Sequence, residues 1–118
     1  MDKVSVALTT YQGARYILKQ LQSLACQSRP ADEVIICDDG SRDGTVDIVR
    51  QFIADNSLEH WHVYENQTNL GFVQNFRKAL SLTSGDIVFL CDQDDIWLEN
   101  KISRMAGILE GNPAISAL

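Results

Sequence analysis

Several features of nucleic-acid-binding, membrane and secreted proteins are missing from this sequence. Lysine and arginine number 10 against 16 acidic residues, so the net charge is −6 and no basic patch is present to neutralise phosphates. No apolar run is long enough to span a bilayer, and the first residues do not open a signal peptide. We therefore expect no nucleic-acid partner, no membrane span and a cytoplasmic location.

Cysteine is also scarce. The three cysteines, Cys26, Cys37 and Cys91, are odd in number and show no CxxC spacing. Cys37 and Cys91 each end an apolar run that resembles a strand. This pattern predicts buried reduced thiols rather than a disulfide or a zinc site.

Glycine-rich phosphate loops are missing too. The first apolar run is followed by residues 9–13, which match neither GxGxxG nor GxxxxGK[ST]. This absence argues against a dinucleotide-binding Rossmann domain and against a P-loop NTPase.

The chain has 118 residues, which is enough for one domain (1–118) with a hydrophobic core. Apolar runs and helical periodicities alternate, which predicts an α/β fold with right-handed βαβ units on a mostly parallel sheet. The predicted strands are 4–9, 33–37, 61–64 and 87–91, and the predicted helices are 14–27, 45–55, 72–82 and 97–110. Residues 113–118 resemble the approach to a fifth strand, so we expect the amino-terminal part of a longer protein.

Each predicted helix carries an apolar face that we expect to pack on the sheet. The expected inner residues are Ile17, Leu18, Leu21, Leu24 and Ala25 in the first helix, Val46, Val49, Phe52 and Ile53 in the second, Phe72, Phe76, Ala79 and Leu80 in the third, and Ile102, Met105 and Leu109 in the fourth.

An acidic cluster follows the fourth predicted strand. The run 87–91 reads as a buried strand, and Asp92, Asp94 and Asp95 come directly after it. Open α/β sheets bind ligands at the carboxyl ends of their strands. Two carboxylates ~4 Å apart repel by about 4 kcal/mol at an effective dielectric of ~20, and a hard divalent cation would offset that cost.

The second predicted strand also ends in acids. Asp38 and Asp39 continue from it and are expected to face the crevice, where a carboxylate could accept the imide N–H of uracil or thymine. Ser41 and Asp43 are better explained as turn formers that cap the next helix. Tyr11 could stack on the same base or serve as an aromatic residue at the edge of the core.

Four segments in order resemble the successive motifs of family 2 glycosyltransferases with the GT-A fold. They are residues 4–11, 38–41, 69–71 and 92–95, and they cover the whole chain. The resemblance implies a Rossmann-like sheet of order 3-2-1-4 with helices on both faces, truncated to the half that binds a nucleotide-sugar donor.

The resemblance also implies roles for individual residues. Thr9 and Tyr11 would contact the nucleobase, Asp39 would accept the base imide, and Asp92 would lie near the ribose or sugar. Asp94, the second acid of the DxD motif, would coordinate Mn²⁺ or Mg²⁺ on the diphosphate. The family's usual Ala-Arg-Asn is replaced after residue 73, so Arg77 and Lys78 are interpreted as a solvated helix face.

No residue of this chain matches the family's inverting base, so that base and the acceptor site are expected beyond Leu118. The implied partners are a UDP- or dTDP-linked sugar donor and a glycan or lipid-linked glycan acceptor. The sequence of residues 91–97 is similar to that of bacterial rhamnosyltransferases of surface polysaccharide synthesis. The full-length protein is then expected to lie at the periphery of the inner membrane. The edge beside the fourth strand would favour self-association.

Two alternatives remain open at this point. A receiver- or dehalogenase-type phosphoryl-transfer domain also gathers aspartates around Mg²⁺, but it places the key acid after the first strand, where this chain has Thr9 and Thr10. A non-catalytic module that binds a nucleotide sugar or a partner protein would use the same acids as a cation-dependent clamp.

Overall fold

The computed structural model describes residues 2–92 and 95–111. Within these ranges strands and helices alternate as the sequence predicts. The elements are β1 (Val4–Thr10), α1 (Ile17–Ala25), β2 (Glu33–Asp38), α2 (Thr45–Asp55), β3 (Trp61–Glu65), α3 (Phe72–Leu82), β4 (Ile87–Cys91) and α4 (Lys101–Gly111). The expected fifth strand at 113–118 lies outside the described residues.

The strands form a parallel sheet of order β3-β2-β1-β4, which confirms the predicted order. β1 lies between β2 and β4, and all seven of its residues are buried. In register, Thr10 pairs with Asp38 of β2, and Leu8 pairs with Cys91 of β4. The carboxyl ends of β1, β2 and β4 therefore meet at one edge of the sheet, and the order of the strands reverses between β1 and β4.

Helices cover both faces of the sheet. The larger apolar cluster joins one face to α1, α2 and α4, and includes Leu21, Val49 and Ile102. The smaller cluster joins the other face to α3 through Ala79, which packs with Ala7 and Ile35. In the described residues, no helix combines the length and the apolar character needed to cross a membrane.

Two helices begin later than the sequence predicts. The N–H groups of Tyr16 and Ile17 both donate to the carbonyl of Gly13, so residues 14–16 form a turn and α1 starts at Ile17. The predicted start of the fourth helix at Trp97 is also wrong. Trp97 is 6% exposed, its N–H donates to Ser23 Oγ of α1 at 3.1 Å, and α4 begins only at Lys101. Tertiary contacts thus replace the first turn of the predicted helix.

The expected inner face is wrong in part for two helices. On α3, Phe72 is 60% exposed and Leu80 is 39% exposed, whereas Asn75 and Ala79 are buried against the sheet. On α1, Leu18 is 47% exposed, and Gln20 takes an inner position. Apolar periodicity assigned the wrong face because a buried amide counts as polar in the pattern. Ala25 is also exposed.

The description of β4 as a buried strand also needs correction. Within the described residues β4 lies at an edge of the sheet, and its neighbour is β1. Phe89 and Cys91 are buried, but Leu90 is 56% exposed on the opposite face. An uninterrupted apolar run does not distinguish a central strand from an edge strand with one open face.

The chain just before β4 packs so closely on the start of β1 that residue 85 must be a glycine, which has no side chain. A Cβ there would lie 2.4 Å from Ser5 Oγ, 2.8 Å from Ser5 N and 2.9 Å from Lys3 O. Two of these are backbone atoms, one in β1 and one in the residue just before it, so they cannot move aside without shifting the strand that pairs with β4.

We expect Gly85→Ala to lower the free energy of unfolding by about 1–3 kcal/mol through overpacking. Gly107→Ala is the matched control, since nothing lies within 4 Å of a Cβ at that helical position. It should stabilise α4 by about 0.5–1 kcal/mol. Urea unfolding of both variants measures the difference, and equal effects would contradict the close packing at Gly85.

Candidate functional site

A cleft of about 440 Å³ opens where the carboxyl ends of β1, β2 and β4 meet. It lies at the reversal of strand order between β1 and β4, where open α/β sheets bind their ligands. The structure brings together here four of the residues that the sequence singled out. The lining residues are Thr9, Thr10, Tyr11, Asp39, Asn69, Gly71, Phe72, Asn75 and Asp92.

Asp38 supports the cleft from below and does not line it. Its Oδ1 accepts hydrogen bonds from Thr10 Oγ1 at 2.7 Å and from Ser41 Oγ at 2.6 Å. Its Oδ2 accepts from the N–H groups of Gly40 at 3.1 Å and Ser41 at 2.7 Å. The side chain is 1% exposed. The expectation that Asp38 faces the crevice is therefore wrong, because four donors hold its carboxylate inside the loop.

Asp39 lines the cleft and ties two loops together. Its Oδ1 accepts from Asn66 Nδ2 at 2.9 Å and from the N–H of Leu70 at 2.7 Å. Its Oδ2 accepts from the N–H of Gly71 at 3.0 Å. A carboxylate oxygen has two lone pairs, so Oδ1 is saturated within the described residues while Oδ2 retains the capacity for one more donor.

Sequence reasoning missed two buried amides beneath the cleft, Asn66 and Asn75. Asn66 Nδ2 donates to Asn75 Oδ1 at 2.8 Å, and Asn75 Nδ2 donates to the carbonyl of Cys37 at 2.9 Å. A signal for Asn75 did exist, since it lies four residues before Ala79 and so shares the inner face of α3. Buried amides of this kind are stable because each polar group finds a partner.

Lys78 belongs to the same network. Its ammonium donates to Asn66 Oδ1 at 2.6 Å from a partly buried position. The interpretation of Lys78 as a solvated residue is therefore wrong, whereas Arg77 is exposed as expected. The positive charge of Lys78 stabilises the amide cluster that holds Asp39 in place.

The remaining predicted residues lie at different depths. Thr9 is 4% exposed at the floor of the cleft, and Tyr11 is 47% exposed at its rim. Asp92 is exposed at the end of β4. Asp94 lies outside the described residues. In the described part of the chain, no group of three or more His, Cys, Asp or Glu side chains is arranged to hold a metal ion.

The loop between β2 and α2 is held partly as expected. The residue at the N-cap of α2 is Gly44, with φ of 91°, and it has no side chain to act as a cap. Asp43 caps the helix, because it accepts from the N–H of Thr45 at 3.2 Å, and it also accepts from the N–H of Ala14 at 3.1 Å. Ser41 Oγ accepts from the N–H of Gln12 at 2.7 Å. Asp43 and Ser41 therefore join this loop to the loop after β1.

The cysteines are all free, as expected. Cys37 and Cys91 are buried, while Cys26 is exposed, so the prediction of a buried thiol fails only at Cys26. Burial raises the pKa of Cys91 to about 12, and a hydrogen bond from Gln20 opposes that rise. Burial likewise raises the pKa of Cys37, with Lys78 acting in the opposite direction. In both cases burial favours the protonated thiol over the reactive thiolate.

Comparison with known proteins now identifies the family. A family model described as Glycosyl transferase family 2 matches residues 5–118. The chain belongs to glycosyl transferase family 2. The match covers all three strand ends that form the cleft, and it confirms the resemblance found in the four sequence motifs.

Individual relatives agree with this assignment. The chain is 37% identical over 101 residues to the putative teichuronic acid biosynthesis glycosyltransferase TuaG of Bacillus subtilis, covering 86% of this chain and 39% of TuaG. It is 36% identical over 110 residues to an uncharacterised Mycoplasma pneumoniae glycosyltransferase, covering 92% and 37% of the two chains. The chain thus spans well under half the length of these relatives.

Solved structures show the same fold. S. aureus TarS 1-349 in complex with UDP matches with a TM-score of 0.84 and 30% identity, over 94% of this chain and 33% of that one. The mannosyltransferase PcManGT of Pyrobaculum calidifontis, in complex with GDP-Man and Mn²⁺, matches with a TM-score of 0.86 and 27% identity, over 92% and 32%. The fold is that of GT-A nucleotide-sugar transferases, as predicted.

Proposed function

We propose that this family 2 chain is a single domain, residues 1–118, that binds the UDP- or dTDP-linked sugar donor of a glycosyltransferase. The observation that carries the proposal is the cleft at the switch point between β1 and β4. Asp39 holds a carboxylate oxygen there with spare acceptor capacity. The imide N–H of uracil or thymine is a donor that fits this oxygen.

Neighbouring residues complete the proposed nucleotide site. Tyr11, at the rim, offers a ring on which a base can stack, and Thr9 contributes a hydroxyl at the floor. Asp92 lies on the β4 side of the same cleft and is assigned to the ribose or sugar. The complex of TarS with UDP supports this placement, because that protein shares the fold at 30% identity.

A divalent cation, Mn²⁺ or Mg²⁺, is the proposed cofactor. The donor set fits a hard cation, because Asp92 and Asp95 are exposed carboxylates and Asp94 follows the same strand. Asp94 is the proposed ligand on the grounds of its match to the DxD motif. When bound, such a cation stabilises negative charge on the departing diphosphate as a Lewis acid. The Mn²⁺ in the PcManGT structure supports a metal in this family.

Replacement of Asp94 tests the metal. We expect Asp94→Asn to weaken Mn²⁺-dependent binding of UDP or dTDP by tenfold or more, about 1.4 kcal/mol, because one anionic ligand is lost. Binding in the presence of a chelator should not change. Isothermal titration measures both, with Asp55→Asn at the exposed end of α2 as the matched control. Unchanged affinity in Mn²⁺ would contradict the assignment.

We further propose that the whole protein transfers its sugar to a glycan or lipid-linked glycan during bacterial surface polysaccharide synthesis, at a cytoplasmic site peripheral to the inner membrane. The description of TuaG supports this class of product. A rhamnosyl donor is one member of the proposed class. Because the chain covers about a third of its relatives, the acceptor site and the inverting base are assigned to sequence outside residues 1–118.

Turnover separates the enzyme from a non-catalytic binding module. The full-length protein should transfer sugar from a UDP- or dTDP-linked donor in Mn²⁺, whereas residues 1–118 should bind nucleotide without transfer. A positioned base typically contributes ~10²–10⁴-fold to the rate. Folded full-length protein that binds donor but turns nothing over would favour the binding module.

Light scattering of the 118-residue chain tests the proposed self-association beside β4.

A further inference from the structure

The segment that follows β4 is held by side chains from α1 and the loop after it. Residues 95–100 lie between β4 and α4 and are neither helix nor strand. Gln20, Ser23 and Gln27 bind the backbone of this part of the chain, and we call these three residues the polar strip. Gln20 and Ser23 share a face of α1 because they are three residues apart.

Each member of the polar strip binds a different point of the segment. Gln20 Nε2 donates to the carbonyl of Asp92, and Ser23 Oγ accepts from the N–H of Trp97 at 3.1 Å. Gln27 Nε2 donates to the carbonyl of Leu98 at 2.7 Å. Gln27 Oε1 accepts from the N–H of Ile102 at 3.0 Å. The strip therefore follows the backbone from the end of β4 to the first turn of α4.

Gln20 lies closest to the acidic motif. It is fully buried, and its Nε2 also donates to Cys91 Sγ at 3.3 Å. The carbonyl of Asp92 accepts a second hydrogen bond from the N–H of Asp95 at 3.3 Å. Gln20 thus holds the backbone carbonyl of Asp92, the residue that directly follows β4.

The side-chain oxygen of Gln20 indicates that folding stability alone does not explain a glutamine at this position. In the part of the chain that the structure describes, Gln20 Oε1 is buried without a hydrogen-bond partner. An unsatisfied buried acceptor costs free energy that an apolar side chain of similar size would not. We expect the protein with a leucine here to fold at least as stably, because the leucine removes this cost, although it also removes the two hydrogen bonds of Nε2. What glutamine provides and leucine lacks is an N–H group that donates to the carbonyl of Asp92.

We propose that Gln20 is a positioning residue, and that the polar strip sets the location of Asp92 and of the segment from Asp95 onward relative to the nucleotide cleft. The inference rests on the proposed function, in which Asp92 and Asp94 act on the sugar and on the diphosphate through a divalent cation. Gln20 touches neither substrate nor cation and acts through the Asp92 peptide group. Ser23 and Gln27 restrain the same segment further along.

Replacement of Gln20 by leucine separates positioning from folding. We expect Gln20→Leu to reduce the gain in UDP or dTDP affinity on adding Mn²⁺ at least fivefold. The affinity in chelator should stay within twofold of the parent, and the melting temperature should be unchanged or higher. Gln22→Leu is the matched control, because Gln22 is an exposed glutamine on the same helix. It should leave the metal-dependent gain unchanged.

Hydrogen exchange gives a second readout that does not involve nucleotide. The amides of Asp95 and Trp97 should exchange faster in Gln20→Leu than in the parent or in Gln22→Leu. Ser23→Ala should also accelerate hydrogen exchange of the Trp97 amide. This variant provides the test if Gln20→Leu does not fold.

The outcomes distinguish this inference from the proposed function. If the parent shows no metal-dependent gain, the metal assignment fails and the positioning role fails with it. If the parent shows the gain and folded Gln20→Leu retains it in full, the positioning role alone is wrong. A lower melting temperature with an unchanged metal-dependent gain would assign Gln20 to the core.

Discussion

Replacing Asp38 with alanine is expected to destabilise the protein by about 3 kcal/mol or more. The carboxylate is 1% exposed and accepts four hydrogen bonds, from Thr10, Gly40 and both polar groups of Ser41. Its removal leaves one buried and three partly buried donors without this acceptor, and a fully buried donor left unpaired costs roughly 1–3 kcal/mol before relaxation. Urea unfolding followed by circular dichroism measures the loss.

Two further variants make the Asp38 test specific. Asp38→Asn should be nearly as destabilising, because each carboxylate oxygen accepts from two donors and an amide replaces one oxygen by a donor. Asp47→Ala, in the exposed first turn of α2, should cost less than about 1 kcal/mol, since it loses only a favourable interaction with the helix dipole. An Asp38→Asn variant as stable as the parent would contradict the four-donor arrangement.

Replacing Asp39 with asparagine is expected to change which nucleobase the chain prefers. Oδ1 accepts from two donors and should remain an oxygen, so the new NH₂ group takes the place of Oδ2. The N–H of Gly71 keeps Asn69 Oδ1 as an acceptor at 3.1 Å. An NH₂ group at this point opposes the imide N–H of uracil but suits N3 of cytosine, which is an acceptor.

The Asp39 experiment compares UDP with CDP. We expect the parent to bind UDP or dTDP at least tenfold more tightly than CDP, about 1.4 kcal/mol, and Asp39→Asn to lose or reverse this preference. ADP should bind weakly to both. Asp39→Ala should remove the preference without favouring cytosine. Asp86→Asn, just before β4 at the opposite end of the sheet, is the control. Equal binding of all four nucleotides to the parent would overturn the role of Asp39.

The secondary structure was largely predictable because local signals agreed with tertiary packing. α2 and α3 begin and end where periodicity predicts, and β4 matches its apolar run. The failures have identifiable causes. α4 begins at Lys101 rather than at Trp97, since Trp97 packs against Phe89 with ring centroids 5.8 Å apart. Phe89 lies only eight residues before Trp97, but a strand-to-loop ring contact has no helical periodicity, so the apolar pattern alone did not exclude a helix at Trp97.

The candidate site was predictable where a residue follows directly from a strand end. Asp39 and Asp92 were found this way, Thr9 was found through the family resemblance, and all three lie in one cleft. Asn66 and Asn75 were not found, because their importance comes from contacts with Asp39 and with each other. Polar residues in a loop or on a helix resemble solvated residues until the fold shows that they are buried.

The amino-acid sequence by itself determined the alternation of elements, the strand ends that carry acids and the family to which the chain belongs. These depend on short-range periodicity and on the order of motifs, both of which are written along the chain. Only the tertiary structure decided between adjacent aspartates: Asp38 is saturated by four donors, while Asp39 faces the cleft. It also turned Gln20 inward to bind the Asp92 carbonyl. The partners of Gln20 lie 71 and 72 residues away, and the donors to Asp39 lie 27 to 32 residues away, so a local pattern carries no information about these roles.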